Sequence, residues 1–595
     1  MSSLNTALSI ASGSLQALQT QLSTSTSNVS NADVAGYTKK SANKTSLATR
    51  SEGAGVYVTS VTSNVDPWLL KSIYNATSTK GASSTLADYY EEVGSSLGAL
   101  SSDSSSSGDN LSSELTSLAA TLTKLAASPT STALKTSTVQ NVDQFATTLR
   151  TTSSAVQSMR EEADTAIANA VDSVNSDLQA IDKLNKSIVR ATAAGSSTAT
   201  LEDQRANLVA DLSSRIGVTS FTKNDGSLAI YTAGGTPLLD ASVHALSFKH
   251  SGTIGAASTY AGGQLSGVYV DATLDANGDP VSGTGINLTS KIDTGSLSSL
   301  IAMRDSVLPG MQTQLDAIAL SFKSALNASH NAGTGTTPPN KLTGSVTGLA
   351  LGNTLTASGN LTVAVTSPSG TTFAAATIAL PTAPATLQGL RDTINGDPAL
   401  TGVVTASIDG SGRFVLTAAN ASNGVALSGG SVTALGGTSY SSGVNLSSAL
   451  GLNDLVTGTG AGDIAVRSDI LAKPTLLATE TLSTTAAAMT AGGTIIVSSD
   501  AQIQSLANAL DSSGVASSSA NLISQVASDM TATKARASAD ETSLTTLTSS
   551  FSSKYGVNVD EETANIQALS QSYAASAQVV STVKSMFENL LSAVK

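Results

Sequence analysis

Leu4–Val29 reads LNTALSIASGSLQALQTQLSTSTSNV, and the way this stretch buries its apolar residues decides the fold. Apolar or small residues recur at Leu4, Leu8, Ala11, Leu15, Leu18, Leu22, Ser25 and Val29, at alternating steps of four and three. That is the heptad seam of a helix needing a partner along a narrow stripe. The far end of the chain repeats the pattern at Ile566, Leu569, Tyr573, Ser576, Val580, Val583, Phe587, Leu590 and Val594. Two terminal helices, neither able to bury its stripe alone, are expected to pair with each other. Ser25 and Ser576 interrupt the seams, so an isolated pair is marginal and further burial is expected from neighbouring chains.

Composition excludes several chemistries. The 595 residues contain no Cys and three His, which leaves no disulfide scaffold, thiolate metal site or Cys nucleophile. A balance of 43 acidic to 30 basic residues, net −13, lacks the basic footprint of a nucleic-acid binder. No run approaches the ~20 apolar residues of a membrane span. The start Met1-Ser2-Ser3-Leu4 carries no basic region, and the first Lys is Lys39. No cleavable secretion signal and no membrane insertion are therefore expected. Aromatics make up only 3% of the chain, which favours long helices and small β modules over large compact cores.

Beyond the first helix, Asn28 to Thr38 (NVSNADVAGYT) is a turn segment rich in Asn, Asp and Gly. Gly53 to Val58 with Val61 reads as a β element, and Asp66-Pro67-Trp68 as a capped helix start. Helical periodicity continues to about residue 215. Its longest seam includes Ile167, Val171, Val174, Leu178, Ile181, Leu184 and Ile188, and Ser101–Gly108 marks a Ser-rich break. A β-rich section follows at about 216–290 and helix returns over 296–330. The linker Gly333–Pro339 opens a β-rich insert in which Leu361, Val363 and Val365 alternate, as do Phe414 and Leu416 with their neighbours. A short helix carrying Leu387, Leu390 and Ile394 lies within it. Helix resumes after about residue 500.

The expected class is a mixed α and β multidomain chain: an elongated helical rod of paired, coiled-coil-like terminal helices with β-rich domains inserted in the middle. Its expected divisions are a terminal assembly domain at 1–65 and 556–595, a helical rod domain at 66–332 and 466–555, and an outer insert at 333–465.

The Asn28–Thr38 segment after its helix resembles the signature opening bacterial flagellar rod, hook and hook-associated proteins. Gly556-Val557-Asn558-Val559-Asp560-Glu561-Glu562, with Asn565-Ile566-Gln567 and Tyr573 to Val580, resembles their closing segment. Three internal stretches resemble the hook-associated protein 1 family in particular: Gly53–Val61 with Asp66; Leu201-Glu202-Asp203-Gln204-Arg205 with Leu208, Val209 and Leu212; and Gly295-Ser296-Leu297 with Leu300 and Arg304-Asp305. Glu202 stands where that family often has Leu. The resemblance covers roughly two thirds of the chain, and the 340–465 segment is similar to the small β module inserted in flagellins and filament-cap proteins.

The resemblance implies an extracellular structural protein of the hook–filament junction, exported without a cleavable signal. It implies a homo-oligomeric ring, the hook protein and a second hook-associated junction protein as neighbours, and an export chaperone on the C-terminal helix. Assembly would rest on Leu4, Leu8, Leu15, Leu18, Leu22, Val29, Ile566, Leu569, Tyr573, Val580, Val583, Phe587, Leu590 and Val594. A hook or rod protein is the alternative in the same class, and a secreted carbohydrate-binding surface protein the alternative outside it. No catalytic, cofactor or metal site is expected. Asp275, Asn277 and Asp279 have calcium-loop spacing, but Pro280 replaces the required Gly and Ile286 the bidentate Glu. Asp560 to Glu562 read as acids favoured by a helix dipole.

Overall fold

The computed structural model describes residues 2–49, 52–98, 110–281, 283–381 and 385–593. The Ser101–Gly108 break and the seam residue Val594 lie outside them. The chain divides into two compact units. The first comprises Met1–Tyr90, Met159–Val307 and Met530–Lys595; the second comprises Glu91–Ser158 and Leu308–Asp529.

In the first unit the N-terminal helix, Ser2–Ser30, is followed by an antiparallel hairpin of Lys40–Thr49 and Glu52–Ser63. Helix Pro67–Ser96 starts at its proline, and Asp66 Oδ1 accepts the Trp68 N–H at 2.9 Å. The long helix Thr132–Ala193 contributes its residues from 159 onward. There Ile167, Val171, Val174, Leu178, Ile181 and Ile188 are buried, as their heptad spacing requires. Helix Ala199–Arg215 crosses helix Pro67–Ser96 so closely that a Cβ on Gly81 would stand 2.1 Å from the Ser214 carbonyl oxygen. The β section at 216–290 is two small sheets. One has strands Val218–Thr222, Leu228–Thr232 and Pro237–Leu239; the other has Leu246–Ser247, Tyr269–Val270 and Ile286–Asn287. Asp275 Oδ1 accepts the N–H groups of Asn277 and Asp279, so this carboxylate closes a turn.

A cluster of charged side chains fixes the irregular stretch 250–266 of this unit. Helix Ser296–Ala302 widens into a π turn at Met303–Val307, which carries Arg304 inward. Arg304 donates to Asp164 at 2.8 Å, to both Asp305 oxygens at 2.8 Å and to the Ser266 carbonyl at 3.0 Å. Asp164 also accepts the Ser251 N–H at 2.7 Å, and Arg160 donates to the Gly255 carbonyl at 3.1 Å. Arg304, Arg160 and Asp164 are all buried.

In the second unit, helix Leu111–Ala127 is capped by Asn110, which exchanges capping-box hydrogen bonds with Ser113. Leu111, Leu115, Leu118, Leu122 and Leu125 form its buried face. Phe145 of the long helix meets Phe322 of helix Leu308–His330 with ring centroids 4.5 Å apart. The insert folds as two sheets. Thr372–Ala379, Thr354–Thr366, Gly424–Leu435 and Thr438–Val444 lie in that order, with Ala385–Thr386 paired to Thr354–Thr366. Strands Val404–Ile408, Phe414–Ala418 and Lys341–Thr343 form the second sheet. Helix Leu387–Gly396 buries Leu387, Leu390 and Ile394 on the shared core, where its spacing put them. Leu361, Val363 and Val365, and Phe414 and Leu416, turn to the core as their alternation implies, but the intervening residues are buried as well, so Leu361 through Thr366 and Phe414 through Leu416 are continuously buried. Thr354–Thr366 runs between two other strands and carries small residues on the face turned from the core, so both faces lose solvent.

Helix asparagines stand in for missing strands throughout. The side chain of Asn185 accepts the Leu228 N–H and donates to the Leu228 carbonyl; Asn175 does the same for Leu246, and Asn395 for Ala406. A primary amide sets one N–H and its carbonyl oxygen side by side, matching the N–H and C=O that a single strand residue presents in the same direction, so it satisfies an edge residue that a helix backbone cannot.

His330 closes helix Leu308–His330 beside the root of the insert. It is buried between the Asn453 carbonyl, 2.6 Å from Nδ1, and the Ala478 N–H, 2.9 Å from Nε2. These partners require a neutral ring with its proton on Nδ1. Burial pushes the pKa down to about 4. The free-chain value is higher, near 6.5, so the folded state gains stability from the neutral ring above that pH and loses it as pH falls toward 4. We expect the second unit to lose ~3 kcal/mol over that window through His330. Urea unfolding read by hydrogen exchange within 308–529 checks this, and His330→Gln should flatten the pH profile. An unchanged profile in that variant contradicts it.

Candidate assembly interface

The two terminal helices pair, antiparallel, within the first unit. Ser25, near the end of Ser2–Ser30, accepts a 3.0 Å hydrogen bond from Asn565 Nδ2, near the start of Val559–Ala593. One polar seam position thus has a partner across the pair. In the N-terminal helix Leu4, Leu8, Leu15, Leu18, Leu22 and Val29 are half-buried, and Ala11 is buried. In the C-terminal helix Val583 is buried and Ile566, Leu569, Ser576, Val580 and Phe587 are half-buried. Tyr573 and Leu590 do not join them: they are 40% and 42% exposed, beside exposed Val579, Met586 and Leu591. A two-helix pair can cover only a narrow stripe, and the flanks of a broader apolar face are left open.

The N-terminal helix uses a second face that the heptad reading does not contain. Ala17 is buried, and a Cβ on Gly13 would stand 3.3 Å from the Val56 carbonyl oxygen. A Cβ on Gly55 would lie 3.4 Å from Ile10 Cα. Small residues here let the helix lie close on the hairpin.

At the base of the pair, three stretches far apart in sequence converge. Asn28 Oδ1 accepts from the Tyr37 hydroxyl and the Lys40 N–H, each at 3.0 Å, and its amide donates to the Lys40 carbonyl at 2.9 Å. This closes the Asn28–Lys40 linker on itself. The Thr38 N–H and hydroxyl donate to Asp203 at 3.0 and 2.7 Å, and the Lys40 ammonium pairs with the same carboxylate. Gly36 takes φ +75°, and a Cβ there would collide with Asn207 Oδ1 at 1.9 Å; the Asn207 amide donates to the Ala35 carbonyl. From the C-terminal side, the Tyr555 carbonyl accepts the Lys39 N–H at 2.7 Å. The Lys39 ammonium lies 3.1 Å from Glu562 and 3.3 Å from Glu561.

Electrostatics match the geometry. Burial alone would raise the Glu562 pKa, but hydrogen-bonding groups of Ser25, Lys39 and Asn28 bring it below the ordinary carboxylate value. The Glu562 hydrogen bond holds Lys39 above the ordinary amine value. Burial raises the Tyr37 phenol. The acids of Asp560–Glu562 do sit in the first turn of their helix, but Glu561 and Glu562 also face a specific cation that sequence reading left out. Spacing in sequence held no signal for that pairing, nor for Asp203 meeting Thr38 and Lys40 across more than 160 positions.

Residues 97–344 match the family model of the flagellar hook-associated protein FlgK helical domain. The ends match two others: the flagellar basal body rod FlgEFG protein C-terminal model at 548–593 and the flagella basal body rod protein model at 8–38. Flagellar hook-associated protein 1 of Escherichia coli (strain K12) is 29% identical over 328 residues, which cover 54% of this chain and 56% of that protein. The protein of the same name from Salmonella typhimurium (strain LT2) is 30% identical, covering 54% and 55%. The chain is similar to flagellar hook-associated protein 1 over these segments. It aligns with little more than half the length of these curated relatives. Among solved structures, the flagellar hook junction protein FlgK from Burkholderia pseudomallei is 16% identical, covering 69% of this chain and 66% of that one with a TM-score of 0.40. The two rod-protein matches take in most of the paired terminal helices, and the hook-associated match takes in helix Ala199–Arg215 with Asp203. The matched segments take in Asn28 to Thr38, Asp203 and Tyr555 to Glu562, while Lys39 and Lys40 lie just past the first of them.

Proposed function

We propose that this chain is a structural component of the bacterial flagellum that joins hook to filament and self-assembles through its terminal helices. The observation that carries the reading is the antiparallel terminal pair, whose apolar face is wider than the pair itself can cover. The assembly domain is 1–65 with 556–595. Its contact residues are Leu4, Leu8, Leu15, Leu18, Leu22 and Val29 on one helix, and Ile566, Leu569, Tyr573, Val580, Val583, Phe587, Leu590 and Val594 on the other. Residues 66–332 with 466–555 carry this domain, and 333–465 form the outer insert.

Subunits would close a ring in the extracellular flagellum, with the hook protein on one side and a second hook-associated junction protein on the other. An export chaperone would take the C-terminal helix before assembly and cover the apolar flanks exposed in the single chain. No catalytic role is proposed. Antibody against the 333–465 insert, applied to isolated flagella, tests the placement: label should collect at one point between hook and filament. Label along the hook or rod would contradict it and favour the alternative axial role.

A further inference from the structure

We propose that Asp203 is a positioning residue that fixes the direction in which the terminal helix pair leaves the rest of the first unit. Helix Ala199–Arg215 is itself anchored two residues further on. Arg205, buried, donates to Asn185 Oδ1 at 2.9 Å and to the Gly226 carbonyl at 2.8 Å. Asp203 leaves the same helix toward the linker instead, taking the Thr38 N–H, the Thr38 hydroxyl and the Lys40 ammonium on its two oxygens. Thr38 in turn meets the Ser63 hydroxyl at 2.6 Å, so the end of the hairpin is tied to the same point. One carboxylate thus gathers the linker and the hairpin that lead out of and back into the body of the unit.

A buried ion pair contributes little net stability, because desolvating two charges offsets their attraction; what it supplies is directionality. Asp203 and Lys40 are both almost fully buried. An apolar pair there would hold the linker in many orientations, whereas three donors converging on one carboxylate hold it in one.

The proposal rests on the reading of the terminal pair as the assembly element, and the test separates the two. The chain has no Cys, so paired introduced cysteines take spin labels uniquely. Ser12→Cys with Ser176→Cys reports the N-terminal helix against the long helix; Ser12→Cys with Lys584→Cys reports the terminal pair internally. In Asp203→Asn the first distance should lose its single narrow peak while the second keeps it, and Asp203→Glu should restore the first. The double variant Asp203→Leu, Lys40→Met should melt close to the unsubstituted chain yet show the same broadening. A first distance that stays narrow in Asp203→Asn and in that double variant overturns the proposal. So does broadening of both distances together, which would mean general loss of structure. A Val583→Asp chain that still assembles overturns the assembly reading whatever these distances show.

Discussion

Replacing Val583 by Asp should abolish self-assembly while leaving the rest of the chain folded. Val583, 8% exposed, is the most buried of the described seam residues of the C-terminal helix, and its neighbours along the helix are half-buried or exposed. The substitution removes about 1.5–3 kcal/mol of apolar burial. It also places a carboxylate where no cation is available among the described residues of the seam, which costs more. A pair already interrupted by Ser25 and Ser576 has little stability to lose. Sedimentation should find only monomer. Ser585→Asp, at an exposed position on the same helix, should sediment like the unsubstituted chain.

Arg304→Ala should destabilise the first unit by about 3–5 kcal/mol, the range for removing one partner of a buried charged pair. The buried Asp164 side chain would lose the guanidinium and keep only the Ser251 N–H and the His250 ring, 3.0 Å away, as partners. The Ser266 carbonyl would also lose a donor. Urea unfolding measures the loss. Hydrogen exchange should show residues 250–266 opening first, since Arg304 and Arg160 hold that stretch through side-chain bonds to its carbonyls. The double variant Arg304→Met, Asp164→Leu should recover most of the stability, because the cost comes from the stranded charge.

What periodicity encodes was legible in the sequence: the two terminal seams, the buried stripe of the long helix and the insert helix with Leu387, Leu390 and Ile394. Each depends on spacing within one element. Legibility stopped where tertiary context decides. Tyr573 and Leu590 fit the heptad as well as Val583 does, yet a two-helix contact is narrower than the pattern. The alternation at Leu361–Val365 gave no hint that intervening Thr362 and Ala364 would also be buried. The polar chemistry was least visible. Asn28, Lys39, Asp203 and Glu562 are ordinary residues in sequence, and only the fold places them on one another. Motif resemblance marked their segments without saying that they meet.

Hydrogen–deuterium exchange over residues 2–30 and 559–593, compared between free chain and assembled material, tests the central claim most directly. Exposed apolar flanks on a marginal pair predict rapid exchange in the free chain and strong protection in the assembly. Equal exchange in the two states would mean that other surfaces join the subunits, and would contradict assembly through the terminal helices.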